Sequence, residues 1–244
     1  MNLILVASLA AAGLVVGRGQ RAVIVRYAVP AGGPPLRCCP DCGHQLLGAR
    51  QLVLAVSARC AACGSRTGPP PLAVELTSAL LLGALAARVH PGLVLAAACW
   101  LALCSVPLAF IDAAVRRLPD VFTGPAFVGT ALLLLAAVAA SGHWHVLAQS
   151  VLGSAALAGF CLALAVISPS GMGMGDAKAA AGLGIMLAWR GWAALVAGGF
   201  AGFLLAAVYG VALMISGRAT RKHQIPLGPF MIAGAFLAIL AAGK

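Results

Sequence analysis

Two of the five acidic residues in this 244-residue chain stand where long apolar stretches meet short polar loops. Asp112 follows Phe110-Ile111, and Asp176 ends the glycine-rich run 171–176. A carboxylate near a bilayer is costly and usually functional. Two such groups can share one proton, so that one serves as a base and the other as an acid. Two alternatives fit as well: an ion or proton transport site and, for Asp112, a salt bridge to Arg116 one turn later.

Four cysteines indicate a second kind of chemistry. Cys39 and Cys42 form one CxxC pair, Cys60 and Cys63 form another, and 17 residues separate the two pairs. Four thiolates at this spacing can form a tetrahedral zinc site. The surrounding segment has few apolar residues, so a structural zinc ion would supply order that packing cannot. Reduced or redox-paired cysteines are the alternative use of these thiols.

The composition identifies the class of protein that must position these groups. Hydrophobic residues make up 62% of the chain and charged residues 9%, with a mean hydropathy of +1.04, whereas soluble domains carry about 25% charged residues. We therefore predict an all-α polytopic membrane protein with about eight transmembrane helices. Their predicted ranges are 1–17, 72–88, 93–111, 122–140, 147–167, 178–189, 192–216 and 226–242. Residues 18–71 are predicted to form a small cytoplasmic loop with the four cysteines, and residues 72–244 a membrane-embedded helical core.

The distribution of Lys and Arg predicts the orientation. With the amino terminus outside, 13 of the 16 basic residues fall in cytoplasmic segments, as the positive-inside rule requires. These are Arg18, Arg21, Arg26, Arg37, Arg50, Arg59, Arg66, Arg116, Arg117, Lys178, Arg218, Arg221 and Lys222, which leaves Arg88, Arg190 and Lys244 outside. Asp112 and Asp176 then face the cytoplasm. The first span has no basic region before it, so we expect it to be retained rather than cleaved as a signal peptide.

The net charge of +11 follows from this topology and from attraction to anionic lipid headgroups. Nucleic acid is not an expected partner, because no compact basic domain with interleaved aromatic residues is present. Asp120, directly after Pro119, is predicted to cap the fourth helix. Glu75 is a candidate for a functional buried acid or for a partner to a neighbouring helix, and we favour the second role. Lys178 either tunes the charge of Asp176 or binds lipid headgroups.

The motifs together resemble those of a known family. The stretches Phe110-Ile111-Asp112 to Leu118-Pro119-Asp120 and Gly173-Met174-Gly175-Asp176-Ala177-Lys178 are similar to the two aspartate motifs of the type IV prepilin peptidases, which are GxGD intramembrane aspartyl proteases. The paired CxxC motifs, the segment from Pro71 to Thr77 and the segment from Ile225 to Phe230 are similar to further parts of that family. These matches occur in the family's order along nearly the whole chain.

The resemblance implies an activity, a substrate and a location. It implies that Asp112 and Asp176 are catalytic, and that the substrate is a prepilin or pseudopilin whose short basic leader is cut after a Gly at the cytoplasmic face of the bacterial inner membrane. Asp176, at a helix amino end, is expected to be the ionised partner and Asp112 the protonated one. Many members also methylate the new amino terminus with S-adenosylmethionine. The family's Gly-Ser-Phe-x-Asn segment is replaced here by Gly17-Arg18-Gly19-Gln20-Arg21, a departure that concerns methylation rather than proteolysis.

The rival hypothesis is an ion- or proton-coupled transporter that uses the same aspartates. Transporters place such acids near the middle of the bilayer and are often built from repeated halves. Here the acids lie at the ends of apolar runs, and the sequence shows no internal repeat.

Overall fold

A computed structural model describes residues 2–30, 33–45, 59–168, 172–218 and 225–243. In these ranges the chain forms eight α-helices: α1 (Leu3–Tyr27), α2 (Ala73–Arg88), α3 (Leu93–Val115), α4 (Asp120–Ser141), α5 (Trp144–Ile167), α6 (Met174–Trp189), α7 (Trp192–Ile215) and α8 (Gly228–Ala241). The only extended pairing within them is two isolated bridges, Cys38 with Gln45 and Arg59 with Arg66. Arg50, Gly171, Arg221, Lys222, His223 and Lys244 lie outside the described residues.

The prediction of an all-helical, multi-pass membrane protein is confirmed. Among the described helices, α1, α3, α4, α5 and α7 are long and apolar enough to cross a membrane. The other three have 14 or 16 residues, which corresponds to only about 21–24 Å of helix. Of these, α6 is largely buried, with a core face that includes Ala180, Leu183 and Met186. It packs against α3, α4, α5, α7 and α8, so the helix that carries Asp176 is central in the bundle.

The ends of three helices differ from the sequence-based prediction. The first helix does not stop at residue 17 but continues to Tyr27, because the polar residues Gln20 and Arg21 are buried. Helix α3 extends past residue 111 to Val115, and α6 starts at Met174 rather than at residue 178. Both aspartates therefore lie inside regular helix, Asp112 in the last turn of α3 and Asp176 in the first turn of α6.

Contacts between distant segments place several helix ends at one end of the bundle. Arg117, in the turn between α3 and α4, donates a hydrogen bond to the carbonyl oxygen of Pro30 at 3.1 Å. The starts of α4 and α6 are joined by Lys178 and Asp120, and Gly228 at the start of α8 contacts Asp112. At the opposite end, Gln149 donates to the carbonyl oxygen of Ala188 at 2.6 Å. Asp112 and Asp176 thus share one end of the bundle.

Candidate active site and metal centre

Asp112 is held by the start of another helix. Its side chain is 4% exposed, and its Oδ2 accepts a hydrogen bond from the backbone N–H of Gly228 at 3.0 Å. Gly228 is the first residue of α8, so its N–H has no acceptor within its own helix and carries the positive end of the helix dipole. This bond fixes one carboxylate oxygen of Asp112 in a buried position.

A side chain at position 228 would force the Asp112 carboxylate to move. A Cβ atom there would lie 2.7 Å from Oδ2 of Asp112, too short for non-bonded atoms, and 3.1 Å from its Cγ. The close approach of backbone to carboxylate therefore depends on glycine at this position.

Asp176 is held in a similar way by its own helix start. Its Oδ2 accepts a hydrogen bond from the backbone N–H of Gly173 at 2.9 Å, and Gly173 is the residue that caps α6. Its Oδ1 is buried and has no hydrogen-bond partner among the described residues. One oxygen of Asp176 is thus anchored, and the other is available to a water molecule or a substrate.

The structure brings the two aspartates together. Helix α3, which carries Asp112 in its last turn, packs against α6, which carries Asp176 in its first turn. Both side chains are buried. Two neighbouring carboxylates in a buried site cannot both ionise easily, so they are suited to share one proton.

The segments that flank the aspartates also contact one another. A Cβ atom on Gly175 would lie 3.0 Å from Cβ of Leu118, so this glycine of the GxGD motif lets the two segments approach closely. Lys178 Nζ lies 2.7 Å from Oδ1 of Asp120, with both side chains exposed.

The predicted cap at Asp120 is wrong. Pro119 occupies the cap position of α4, and Asp120 is the first helical residue. Its carboxylate pairs with Lys178 of α6 and, among the described residues, accepts no capping hydrogen bond from the backbone of α4. Neither role predicted for Lys178 includes this ion pair.

The favoured interpretation of Glu75 as a partner for a neighbouring helix is correct, because Glu75 is buried and forms an ion pair with Arg21 of α1.

The four predicted metal ligands form one cluster. The Sγ atoms of Cys39, Cys42, Cys60 and Cys63 all lie within 4.8 Å of one another, with 3.8 Å between Cys39 and Cys63 and 3.6 Å between Cys42 and Cys60. Zn–S bonds of about 2.3 Å in a tetrahedron require sulfur atoms about 3.8 Å apart. The spacing of the four sulfur atoms therefore fits a metal ion such as zinc.

Each CxxC pair lies in the same kind of turn. In the first turn Cys39 N–H donates to the carbonyl oxygen of His44 and Gly43 N–H to that of Cys39, at 2.8 and 2.9 Å. In the second turn Cys60 N–H donates to the carbonyl oxygen of Ser65 and Gly64 N–H to that of Cys60, at the same distances. The two turns thus have matching backbone hydrogen bonds, and each contributes two thiols to the cluster.

One hydroxyl group favours thiolates in this cluster. Ser65 Oγ lies 3.0 Å from Sγ of Cys63 and 3.5 Å from Sγ of Cys39. Its hydrogen bond is the largest of several that together lower the pKa of the Cys39 thiol to about 6, and it also lowers the pKa of Cys63. A deprotonated thiol is the form that binds a metal ion.

No role is predicted from the sequence for Gly228, which contacts Asp112, or for the pair Gln20 and Ser78. Gly228 lies in the segment Ile225 to Phe230, and its proximity to Pro229 is a signal for a helix start, but nothing local indicates which carboxylate it contacts. Gln20 and Ser78 form a buried hydrogen bond between α1 and α2. Their helical positions give no hint of that pairing.

Comparisons with known proteins identify relatives. The model of a family described as the type IV leader peptidase family matches residues 94–215, a range that contains both aspartates. The protein named prepilin leader peptidase/N-methyltransferase from Aeromonas salmonicida (strain A449) is 31% identical over 217 residues, covering 84% of this chain and 71% of that protein. The proteins of the same name from Pseudomonas aeruginosa and Bacillus subtilis (strain 168) are 31% and 30% identical, over 84% of this chain and 71% and 82% of their own lengths. No solved structure shows a significant match.

Proposed function

Because the chain belongs to the type IV leader peptidase family, we propose that it is an aspartyl endopeptidase that removes the leader from prepilins or pseudopilins, with Asp112 and Asp176 as its catalytic pair. The observation that carries this proposal is that two buried carboxylates, on the packed helices α3 and α6, lie at the same end of the bundle. Nothing in the helix arrangement favours the transporter alternative, because each acid lies within one turn of a helix end rather than midway along its helix.

The mechanism follows from a shared proton. The ionised carboxylate takes a proton from a water molecule as that water attacks the scissile carbonyl carbon, and the protonated carboxyl donates its proton to the carbonyl oxygen. The buried Oδ1 of Asp176, without a partner among the described residues, is suited to hold the water. The anchored Oδ2 atoms keep both carboxylates in place during the proton transfers.

Proximity to a helix amino end does not distinguish Asp176 from Asp112 as the ionised partner. Asp112 accepts its hydrogen bond from the first residue of α8, so a helix amino end stabilises negative charge on it as well. We therefore assign the single proton to the pair as a unit.

The test of this function is a cleavage reaction in detergent. Purified protein is incubated with a prepilin that carries a basic leader, and mass spectrometry reports the products. We expect one cut that separates the leader from the mature pilin after a Gly. An unchanged prepilin, under conditions in which a known relative cleaves it, would refute the proposal.

The same reaction tests for N-methyltransferase activity, which the names of the relatives also include. With S-adenosylmethionine added as the methyl donor, a methylated product would have the mass of the mature pilin plus one methyl group. The chain's departure from the family lies in α1, where the side chains of Gln20 and Arg21 are already engaged with α2 and α3. Cleavage without methylation would separate the two activities in this protein.

We further propose that the catalytic end of the bundle faces the cytoplasm of a bacterial inner membrane, with the amino terminus outside. A reporter fused after residue 60 is expected to behave as cytoplasmic and one fused after Trp144 as external, because most basic residues then lie inside. Alkaline phosphatase and a cytoplasmic fluorescent protein, each fused at both sites, give opposite patterns for the two orientations. Reversed patterns would place the aspartates on the side away from the leader.

The proposed role of the cysteine cluster is to hold one structural zinc ion with Cys39, Cys42, Cys60 and Cys63 as ligands. Zinc in such sites supplies folding free energy, about 10–16 kcal/mol in small peptides. The ion would order the segment between α1 and α2 and help present the substrate. No step of peptide-bond cleavage depends on it, because the aspartates are assembled by the helices.

We predict that replacing Cys39 and Cys42 by Ser removes the metal and weakens, but does not abolish, prepilin cleavage. Elemental analysis should return about one zinc ion per chain for the unmodified protein and much less for this variant. Cys38→Ser is the matched control, since Cys38 is adjacent in sequence but outside the cluster, and it should retain the metal. Full activity in metal-free protein would leave the cysteines without this role.

A further inference from the structure

A buried polar cluster lies between α1, α2 and α3. We call it the Gln20 cluster, and it consists of Gln20, Arg21, Glu75, Ser78 and the carbonyl group of Leu103. All four polar side chains are at most 7% exposed. A buried polar group is costly unless it is hydrogen-bonded, so such a cluster calls for an explanation.

The hydrogen bond from Gln20 to Leu103 compensates for a proline. Pro107 lies inside α3, and it has no N–H to donate to the carbonyl oxygen four residues earlier. That carbonyl belongs to Leu103. Gln20 Nε2 donates to this oxygen at 2.8 Å, so the α1 side chain supplies the bond that α3 cannot make for itself.

The remaining contacts of the cluster hold the Gln20 amide in place. Ser78 Oγ donates to Oε1 of Gln20 at 2.5 Å, which leaves the amide nitrogen to face Leu103. Next to it, Arg21 forms a buried ion pair with Glu75 that joins α1 to α2. Ser78 of α2 thus orients the amide, and the amide donates to Leu103 of α3.

The part of α3 that follows this point carries Asp112. Pro107 precedes Asp112 by five residues, and a proline with a missing hydrogen bond is a common place for a helix to bend. The direction of the last turn of α3 therefore depends on what replaces the hydrogen bond that is missing at Pro107. Gln20 contacts the carbonyl oxygen of Leu103, which Pro107 leaves without its helical donor.

We propose that Gln20 is a positioning residue for Asp112: its amide replaces the hydrogen bond that Pro107 removes, and so sets the direction of the last turn of α3. This inference rests on the proposed peptidase function. Gln20 touches neither substrate nor the reacting atoms, and it acts through the backbone of α3. Ser78 supports it by orienting the amide.

The test compares Gln20→Leu with a matched glutamine variant. Gln149→Leu also removes an amide that donates to a helix carbonyl, that of Ala188, but at the end of the bundle away from the aspartates. We expect Gln20→Leu to lower kcat for prepilin cleavage by about 10- to 100-fold, because small misplacements of catalytic groups have effects of this size. KM should change by less than about threefold, and Gln149→Leu should leave both constants near the unmodified values.

A rescue experiment isolates the proposed cause. Pro107→Ala restores an N–H at residue 107, so Leu103 regains a donor from its own helix. In the Pro107→Ala background the loss of kcat caused by Gln20→Leu should shrink to less than about threefold, a coupling between the two sites that a double-mutant cycle measures. If Gln20→Leu fails to fold, Ser78→Ala is assayed in its place against the same backgrounds, with a smaller loss of kcat expected.

The outcomes separate this inference from the proposed function. An inactive unmodified protein would refute the peptidase function and, with it, the positioning role. The role of Gln20 would be overturned, and the peptidase function left intact, by an active unmodified protein in which Gln20→Leu keeps its kcat. The same conclusion would follow if Gln20→Leu lowered kcat as much in the Pro107→Ala background as in the background that keeps Pro107.

Discussion

Asp112→Asn and Asp176→Asn are each expected to lower prepilin cleavage by about 10²- to 10⁴-fold, since general acid and base groups contribute factors of this size. An amide keeps the shape of the carboxyl group but cannot take up or release the proton that the reaction moves. Both side chains are buried at the junction of α3 and α6, so no exposed acid can replace them. The measurement is the rate of leader removal, followed by mass, for equal amounts of inserted protein.

Asp120→Asn is the matched control for this pair. Asp120 lies at the same end of the bundle, but it is exposed and pairs with Lys178. Exposed ion pairs contribute only about 0–1 kcal/mol to stability, and cleavage by this variant should stay close to that of the unmodified protein. Near-normal cleavage by Asp112→Asn or Asp176→Asn would remove that residue from the catalytic pair.

The second large effect is expected from Gly228→Ala. The added methyl group would lie 2.7 Å from Oδ2 of Asp112, so the carboxylate must move away and its hydrogen bond from the Gly228 N–H must lengthen or break. A hydrogen bond to a charged group contributes about 1.5–3 kcal/mol. Its loss in the reacting state corresponds to a decrease in cleavage rate of roughly 10- to 100-fold.

Gly159→Ala provides the control for a glycine replaced within a helix. No atom outside the immediate chain neighbourhood lies within 4 Å of a Cβ built on Gly159, and alanine is the better helix former. This variant should cleave prepilin at the normal rate. Equal rates for Gly228→Ala and Gly159→Ala would show that the contact between Gly228 and Asp112 has no part in catalysis.

Local features of the chain determined much of the architecture. Apolar runs predict the helices because a segment in a membrane must satisfy its backbone hydrogen bonds internally. The paired CxxC spacing predicts the tetracysteine cluster, since each pair forms its turn through bonds between residues five positions apart, such as Cys39 and His44. The scarcity of acids directs attention to Asp112 and Asp176, as a charge near lipid persists only where it has a use.

Composition is less informative about where helices end. Arg18, Arg21 and Arg26 resemble the end of a membrane span, yet α1 continues to Tyr27. The reason is a partner 54 residues away, since Glu75 neutralises Arg21 in a buried ion pair. In the same way the local signal for a cap at Asp120 is overridden by Lys178, which is 58 residues distant.

The amino-acid sequence by itself thus determined the class of fold, the candidate metal ligands and the two candidate catalytic acids. The tertiary structure decided which distant group each key side chain contacts: Gly228 for Asp112 across 116 residues, and a carbonyl freed by Pro107 for Gln20 across 83. Local pattern specifies backbone conformation, because hydrophobic periodicity and turn residues act over a few positions. The choice of a distant hydrogen-bond partner depends instead on which helices pack together, and only the folded arrangement contains that information.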